Sequence, residues 1–229
     1  MTGIVLQARL GSTRLHRKVL LPLGGATLLD MVLDRLALVP ADLRILATDA
    51  ASEAELASLA RDHGFEFVVG PAEDVLARYC LAIREFGLDR VLRATGDNPL
   101  VSHEAAALLI EERAASTASY STFTGMPLGM GVELVSAAAL LRAEAEAEDP
   151  AEREHVCPHL YRNPTRYAIE ELRAPEPFYL PSGRVTVDLE SDYEKALRIY
   201  GAFYDGRPIP TARVMAYLRE NDAEKRKGP

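Results

Sequence analysis

At 229 residues, with 48% hydrophobic and 26% charged side chains, the chain is long enough for one sizeable core and has an ordinary globular composition. Its net charge of −8 argues against nonspecific nucleic-acid binding, and no stretch approaches the roughly 20 apolar residues of a membrane helix. Cys80 and Cys157 have no CxxC spacing and lie in helical patterns, so free thiols in a reducing, cytoplasmic setting are expected. The opening apolar run is three residues long and is followed by arginines, so no signal peptide is expected.

In chain order, residues 4–8 read as a short buried strand and 27–38 as a helix with apolar residues at helical spacing. Residues 43–48 (LRILAT) make a second strand. Ser52 opens the next helix, with Glu55 at capping-box spacing. Residues 65–69 are a strand, and Pro71 leads into a helix through Phe86. The fourth strand is RVLRAT (90–95), followed by GDNPLV and a helix over 102–115. Four β-then-α units imply a mostly parallel sheet with helices on both faces. Right-handed crossovers gather the C-terminal ends of such strands on one edge, where open α/β sheets bind ligands.

The second half is less regular. SYSTFTGMPLGMGVELVS reads as strand, glycine-rich loop and strand, and 137–148 as a helix with an acidic outer face. Residues 152–161 are helical up to Pro158, 166–172 a strand, and PEPFYLPSG a proline-broken loop. RVTVDL (184–189) is a further strand, Ser191 starts a helix to Tyr204, 211–221 form the last helix, and EKRKGP is a frayed tail. The reading is one α/β domain over 1–229, with an insertion at 125–180.

Against the acidic bulk, the first four cations are Arg9, Arg14, Arg17 and Lys18, interleaved with Gly11, Ser12 and Thr13 in a loop leaving the first strand. Such a loop suits an oligophosphate: glycine lets backbone approach the anion, successive N–H groups form a donor concavity, and arginine offers a planar fork. A solvated basic loop is the plainer alternative. Neither GxxxxGK[ST] nor GxGxxG is present, which disfavours a P-loop and a dinucleotide fold. Asp97, in RATGDNPLV, follows a strand on the same edge, where a carboxylate can hold Mg²⁺; Gly-Asp-Asn-Pro is equally good turn chemistry. Asp188, in RVTVDLESDYE, repeats that placement, while Ser191 and Asp192 suit helix capping.

Taken together, IVLQARLGSTRL..KVLLPLGG, DVLARY, VLRATGDNPLV, EREHVCPHLYRNP and RVTVDLESDYE resemble the spore-coat polysaccharide biosynthesis protein F family. That family is similar to the acylneuraminate and 3-deoxy-manno-octulosonate cytidylyltransferases. The resemblance runs in order over almost the whole chain. It implies a Rossmann-like, GT-A-type nucleotidyltransferase fold. It also implies CTP as nucleotide, a sugar acid or other anionic acceptor, Mg²⁺ as cofactor and a homodimer contacting through 125–180. Residue by residue, it puts Ala8 and Arg9 near base and ribose, and Gly11, Ser12, Arg14 and Lys18 on the triphosphate. Asp97 and Asp188 match the magnesium aspartates, with Arg14, Lys18 and Asp97 as the catalytic group. Arg78 falls near the nucleotide or acceptor, and Glu154 and His155, the acceptor candidates, lie in a motif that borders the acceptor or the subunit interface. Relatives read Arg-Leu-Pro-Gly-Lys where this chain has RLHRK, so His16 and Arg17 stand in for proline and glycine.

Other features carry weaker readings. His155 and His159 share a helical face, but Pro158 lies between them and no third metal ligand is apparent. GMPLGMGVE reads either as a lid or as a hairpin with flexible turns. Tyr79 and Cys80 are expected in the core, His63 and His103 on the surface at helix ends, and Glu144, Glu146 and Glu148 on a solvated face. A nucleotide-sugar-dependent glycosyltransferase, and a nucleotide-binding protein without catalysis, remain as alternative functions.

Overall fold

The structure, a computed structural model, describes residues 1–226. β1 (Thr2–Gln7) is followed by a small hairpin, β2 (Pro22–Leu23) and β3 (Ala26–Thr27), and by α1 (Leu28–Ala37). Three more strand–helix units follow: β4 (Leu43–Asp49) with α2 (Glu53–Asp62), β5 (Glu66–Gly70) with α3 (Val75–Phe86), and β6 (Arg90–Thr95) with α4 (His103–Glu112). Local chemistry defines the helix starts. Thr27 and Asp30 form a reciprocal capping box on α1, and Asp74 and Ser102 cap α3 and α4 through the amides of Ala77 and Ala105.

The remainder supplies β7 (Tyr120–Thr124), β8 (Glu133–Ser136), α5 (Ala137–Glu146), α6 (Pro150–His155), α7 (Pro158–Tyr161), β9 (Ile169–Arg173), α8 (Glu190–Phe203) and α9 (Thr211–Arg226). The seven long strands make one sheet in the order β5-β4-β1-β6-β8-β7-β9, in which only β8 runs antiparallel to its neighbours. This is the mostly parallel, helix-flanked architecture expected from the β-then-α alternation.

Successive side chains of a strand point to opposite faces, and here they feed two separate cores. Ile4, Leu6, Leu46 and Leu92 join α1, α4 and α8 on one face; Val5, Ile45 and Val91 join α3 and α5 on the other. Burying each such side chain contributes about 1.5–3 kcal/mol. The buried Arg35 of α1 ties the layers together, donating to the carbonyls of Val101 and Ile209 and to the Thr211 hydroxyl. Tyr79, fully buried on α3, shares its hydroxyl proton between the carbonyls of Val5 and Ala94, 3.1 Å away in each case. Cys80 and Cys157 are free and buried. Among the described residues, no helix is long and apolar enough to cross a membrane.

Several expectations are corrected. Ser52 does not cap α2: its Oγ instead accepts the Leu10 amide at 2.9 Å, and Glu55 pairs with Arg17. Residues 184–189 are extended, but they form no strand; their one ladder contact is a bridge between Leu128 and Arg184. The segment between α6 and α7 breaks at Val156, and Pro158 begins a new turn rather than ending a helix, because its missing N–H costs nothing there. The final helix runs on through Arg226, so 224–226 of the expected tail are helical, and 227–229 lie outside the described residues.

The acidic face of α5 is not simply solvated. Glu144 pairs with Arg84, and Glu146 gathers Arg142, Arg166, Tyr167 and His159. His63 is not a surface residue either: its ring lies 2.9 Å from Asp30 and 3.0 Å from Asp34 of α1. His103 is likewise largely covered, 3.2 Å from Glu104.

Candidate active site

The site forms where β1 and β6 end side by side. Gly96 makes that approach possible: a β-carbon there would lie 2.8 Å from the Ala8 side chain and 3.2 Å from the Gln7 carbonyl. Its amide instead donates to Gln7 at 2.8 Å. The loop after β1 is anchored on β4 and α2, since Ala8 binds Ala47 and Thr48 while the Leu10 amide reaches Ser52. Among the described residues, none beyond its chain neighbours comes within 4 Å of a β-carbon built on Gly11, so the space beside it is open.

The loop closes on Lys18 through a left-handed residue. Arg17 has φ 50° and ψ 35°, a conformation that costs a residue with a β-carbon about 1–2 kcal/mol. This is the position at which the family pattern implied by the resemblance has glycine. The chain keeps the glycine conformation without the glycine, and the Arg17 guanidinium is held by an ion pair with Glu55.

The left-handed step delivers Lys18 to the centre of the site. Its ammonium donates to Asp97 Oδ2 at 2.9 Å, the Val187 carbonyl at 3.0 Å and Asp188 Oδ1 at 3.1 Å. Asp97 is fixed on its other side by the Thr95 hydroxyl at 2.7 Å. Asp188 also receives Arg14 at 3.3 Å and Arg184 at 2.9 Å. Burial pushes the Asp188 carboxyl up, but hydrogen bonds and charge from Lys18, Arg184 and Arg14 hold it below the usual aspartate range.

Asp188 is placed by packing rather than by strand pairing. Gly129, at φ +94°, lies so close to the 184–188 segment that a β-carbon would sit 2.4 Å from the Thr186 amide. That contact lets the Leu128 carbonyl accept the amides of Val185 and Thr186, and the Val187 amide then donates to the Asp97 backbone carbonyl at 2.9 Å. Asp192 accepts the backbone amides of Asp188 and Leu189, as its capping role required; Ser191 makes no cap.

The residues assigned to the site from the sequence line one cavity of about 330 Å³: Ala8, Arg9, Gly11, Ser12, Arg14 and Lys18 from the loop, with Arg78, Asp97, Glu154, His155 and Asp188 around it. Arg9 spans to the far wall, donating to the Ala72 carbonyl at 3.1 Å and lying 3.8 Å from Glu154. Arg78 is buried, yet its Nε and Nη1 have no partner. Burial and the neighbouring Arg9 charge push its guanidinium below the usual arginine range. His155 is exposed, and its ring has no partner among the described residues, whereas His159 is turned away onto Glu152 at 2.7 Å.

A second cavity, of about 600 Å³, adjoins the first across Arg14, Arg93, Thr95, Asp97, His155 and Asp188 and runs under the glycine-rich loop. Its wall contains residues that sequence reasoning missed. Arg93 of β6 and Glu133 of β8 are direct cross-strand partners and form an ion pair, and Tyr120 donates to the other Glu133 oxygen at 2.8 Å. Charged residues within two short strands, Arg93 in RVLRAT and Glu133 in ELVS, were a visible signal. Their pairing was not, because β8 enters the sheet reversed.

Comparison with known proteins agrees with this architecture. The sequence profile described as "Cytidylyltransferase" matches residues 3–219. The spore coat polysaccharide biosynthesis protein SpsF of Bacillus subtilis (strain 168) is 31% identical over 224 residues, covering 95% of this chain and 93% of that protein. The structure of a cytidylyltransferase from Leptospira borgpetersenii superposes with a TM-score of 0.89 at 25% identity, covering 97% of this chain and 95% of that one. A CMP:2-keto-3-deoxy-manno-octonic acid synthetase complexed with CTP shares the fold, with a TM-score of 0.67 at 16% identity over 88% of this chain and 98% of the other. A profile matched over nearly the full length, together with a relative of that identity and coverage, makes this chain a nucleotidyltransferase belonging to the cytidylyltransferase family.

Proposed function

We propose that this chain transfers the cytidylyl group of CTP to an oxygen of a small acceptor, with release of pyrophosphate, in surface-polysaccharide or other glycan biosynthesis. The observation that carries the reading is the convergence of Asp97, Asp188 and the Val187 carbonyl on one cation, the Lys18 ammonium, at 2.9–3.1 Å. It lies at the mouth of a basic loop, beside a buried arginine with open donors. The polysaccharide-biosynthesis relative supports the pathway class, and the CTP-bound synthetase of the same fold supports the nucleotide.

The donor set around Lys18 is entirely hard oxygen and fits Mg²⁺, which Asp97 and Asp188 would hold. Bound there, the ion supplies positive charge to the triphosphate oxygens as pyrophosphate departs. Arg14 and Lys18 grip the triphosphate, Gly11 and Ser12 present backbone to it, and Ala8, Arg9 and Arg78 receive the nucleoside end. The acceptor oxygen attacks the α-phosphorus, forming a new P–O bond. The bond to the β-phosphate oxygen breaks, and pyrophosphate takes the electron pair. A hydroxyl acceptor passes its proton to His155, on the rim shared by both cavities. Fixed cations aimed at developing charge supply most of the acceleration in such transfers.

A thermal-shift series with CTP, UTP, GTP and ATP, each with Mg²⁺, tests the reading, because ligand bound only by the folded state raises the midpoint. CTP is expected to give the largest shift. A shift confined to GTP or ATP would overturn the cytidylyl assignment.

A further inference from the structure

Lys18 marks one cation position between Asp97 and Asp188, and each carboxylate turns a single oxygen towards it. Asp97 presents Oδ2 at 2.9 Å and Asp188 presents Oδ1 at 3.1 Å. The other oxygen of each is held by a donor from the protein. Asp97 Oδ1 accepts the Thr95 hydroxyl at 2.7 Å. Asn98 donates to the Thr95 oxygen at 2.8 Å, which leaves the one hydroxyl proton aimed at Asp97. Asp188 Oδ2 accepts Arg184 Nη2 at 2.9 Å.

Arg184 lines neither cavity, so it acts on Asp188 rather than on a ligand. Its Nε and Nη2 form a fork on the two oxygens of Asp192, at 3.1 Å each. Asp192 is fixed in turn, accepting the amides of Asp188 and Leu189 at 3.1 and 3.0 Å. The remaining Nη2 proton is thereby directed at Asp188 Oδ2, in a charge-assisted bond stronger than one between neutral groups. A carboxylate with one oxygen held in this way gives a metal ion only the other. Ca²⁺ takes about six to eight oxygens and accepts both from one carboxylate, whereas Mg²⁺ needs a near-octahedral set, keeps waters and takes one or two carboxylates with phosphate oxygens. Two single carboxylate oxygens on fixed partners suit the smaller ion.

We infer that Arg184, through its fork on Asp192, and Thr95 set the metal selectivity of this site. Each blocks the second oxygen of its aspartate, so Asp97 and Asp188 bind through one oxygen apiece and CTP is taken with Mg²⁺ in preference to Ca²⁺. The inference rests on the nucleotide–Mg²⁺ reading above and names the residues that select the ion. Arg184 and Thr95 are positioning residues, since both act through their aspartates.

The test measures CTP affinity of the full chain by calorimetry, without acceptor, in Mg²⁺ and in Ca²⁺. The wild-type protein is expected to bind CTP at least about tenfold more tightly with Mg²⁺, and Arg184→Met to reduce that preference about tenfold by freeing Asp188 Oδ2. Thr95→Val, which keeps the side-chain shape and frees Asp97 Oδ1, is expected to do the same, and it carries the test alone if Arg184→Met does not fold. The unfolding midpoint of each protein without ligand checks folding. A merely structural role would weaken CTP binding by one factor in both ions. That result, or a wild-type protein that binds CTP equally with the two ions, would overturn the proposal while leaving the transferase reading intact. A folded wild-type chain that bound CTP with neither ion would overturn the nucleotide reading itself, and the proposal with it.

Discussion

Replacing Lys18 by methionine removes an ammonium from between two carboxylates while keeping the apolar stem. Each Lys18–aspartate contact, at 2.9 and 3.1 Å, is worth about 5 kcal/mol of gross attraction at an effective dielectric of ~20. Desolvation cancels much of that. The three side chains are only 14%, 27% and 19% exposed, so removing the cation leaves two half-buried carboxylates facing each other. The expected cost is about 3 kcal/mol, slightly below that of breaking a fully buried pair. For a chain of this size, that lowers the unfolding midpoint by roughly 6–12 °C. The same substitution vacates the point where Asp97 and Asp188 would hold Mg²⁺, so the ion should restore most of the lost stability without any nucleotide. In the wild-type protein, Lys18 competes for that point and the ion alone should shift the midpoint little. Mn²⁺ binding followed by electron paramagnetic resonance should show at least tenfold tighter binding by Lys18→Met than by wild type, again without nucleotide. Equal Mn²⁺ affinity in the two proteins, or a Lys18→Met protein as stable as wild type, would refute the argument that ammonium and metal share one position.

Three further outcomes are expected. Arg78→Met discards a buried guanidinium with unpartnered nitrogens, so the unfolding midpoint should stay level or rise while CTP affinity falls at least about tenfold; a stability loss above about 2 kcal/mol would show that Arg78 serves the fold. Arg17→Gly relieves the left-handed strain but loses the Glu55 pair, so calorimetry should find a net change within about 1 kcal/mol, whereas Arg17→Val should destabilise by about 1–2 kcal/mol. The Glu146 carboxyl is held at about 2, first by the Arg142 hydrogen bond and, against a smaller burial effect, by Tyr167 and His159, compared with an ordinary 4.5. A depressed carboxyl stabilises the folded state above the ordinary value and loses that contribution as pH falls from 4.5 towards 2. Acid titration followed by tyrosine fluorescence should therefore show Glu146→Gln with a flatter stability profile in that window; an unchanged slope would count against the cluster.

Much of the candidate site was legible because its signals were local. A cationic loop of glycine, serine and arginine after a buried strand, and Asp97 just past another, need only chain order and strand polarity to be placed on one sheet edge, whereas Asp188 reaches that edge through packing against the glycine-rich loop. Arg78 was weaker, since only the family resemblance singled it out, and its burial against the cavity emerges only once α3 is packed. Arg93, Glu133 and Tyr120 were out of reach because a reversed strand brought them together, and antiparallel register is not written in either strand alone. Ser52 misled for a related reason: its spacing to Glu55 suits a capping box, but the neighbouring loop offered its hydroxyl the Leu10 amide and offered Glu55 the Arg17 guanidinium.

By itself, the sequence determined the alternation of strands and helices, the sheet edge on which the candidate site forms and the cationic loop that lines it, because periodicity, capping and charge against the bulk are properties of neighbouring residues. Tertiary structure alone decided that Lys18 lies between Asp97 and Asp188, that an arginine can hold a glycine's conformation at residue 17, and that Arg93 pairs with Glu133 across two strands. Each of these depends on distances between segments far apart in the chain, which arise only when the sheet closes and the glycine-rich loop packs onto the 184–188 segment.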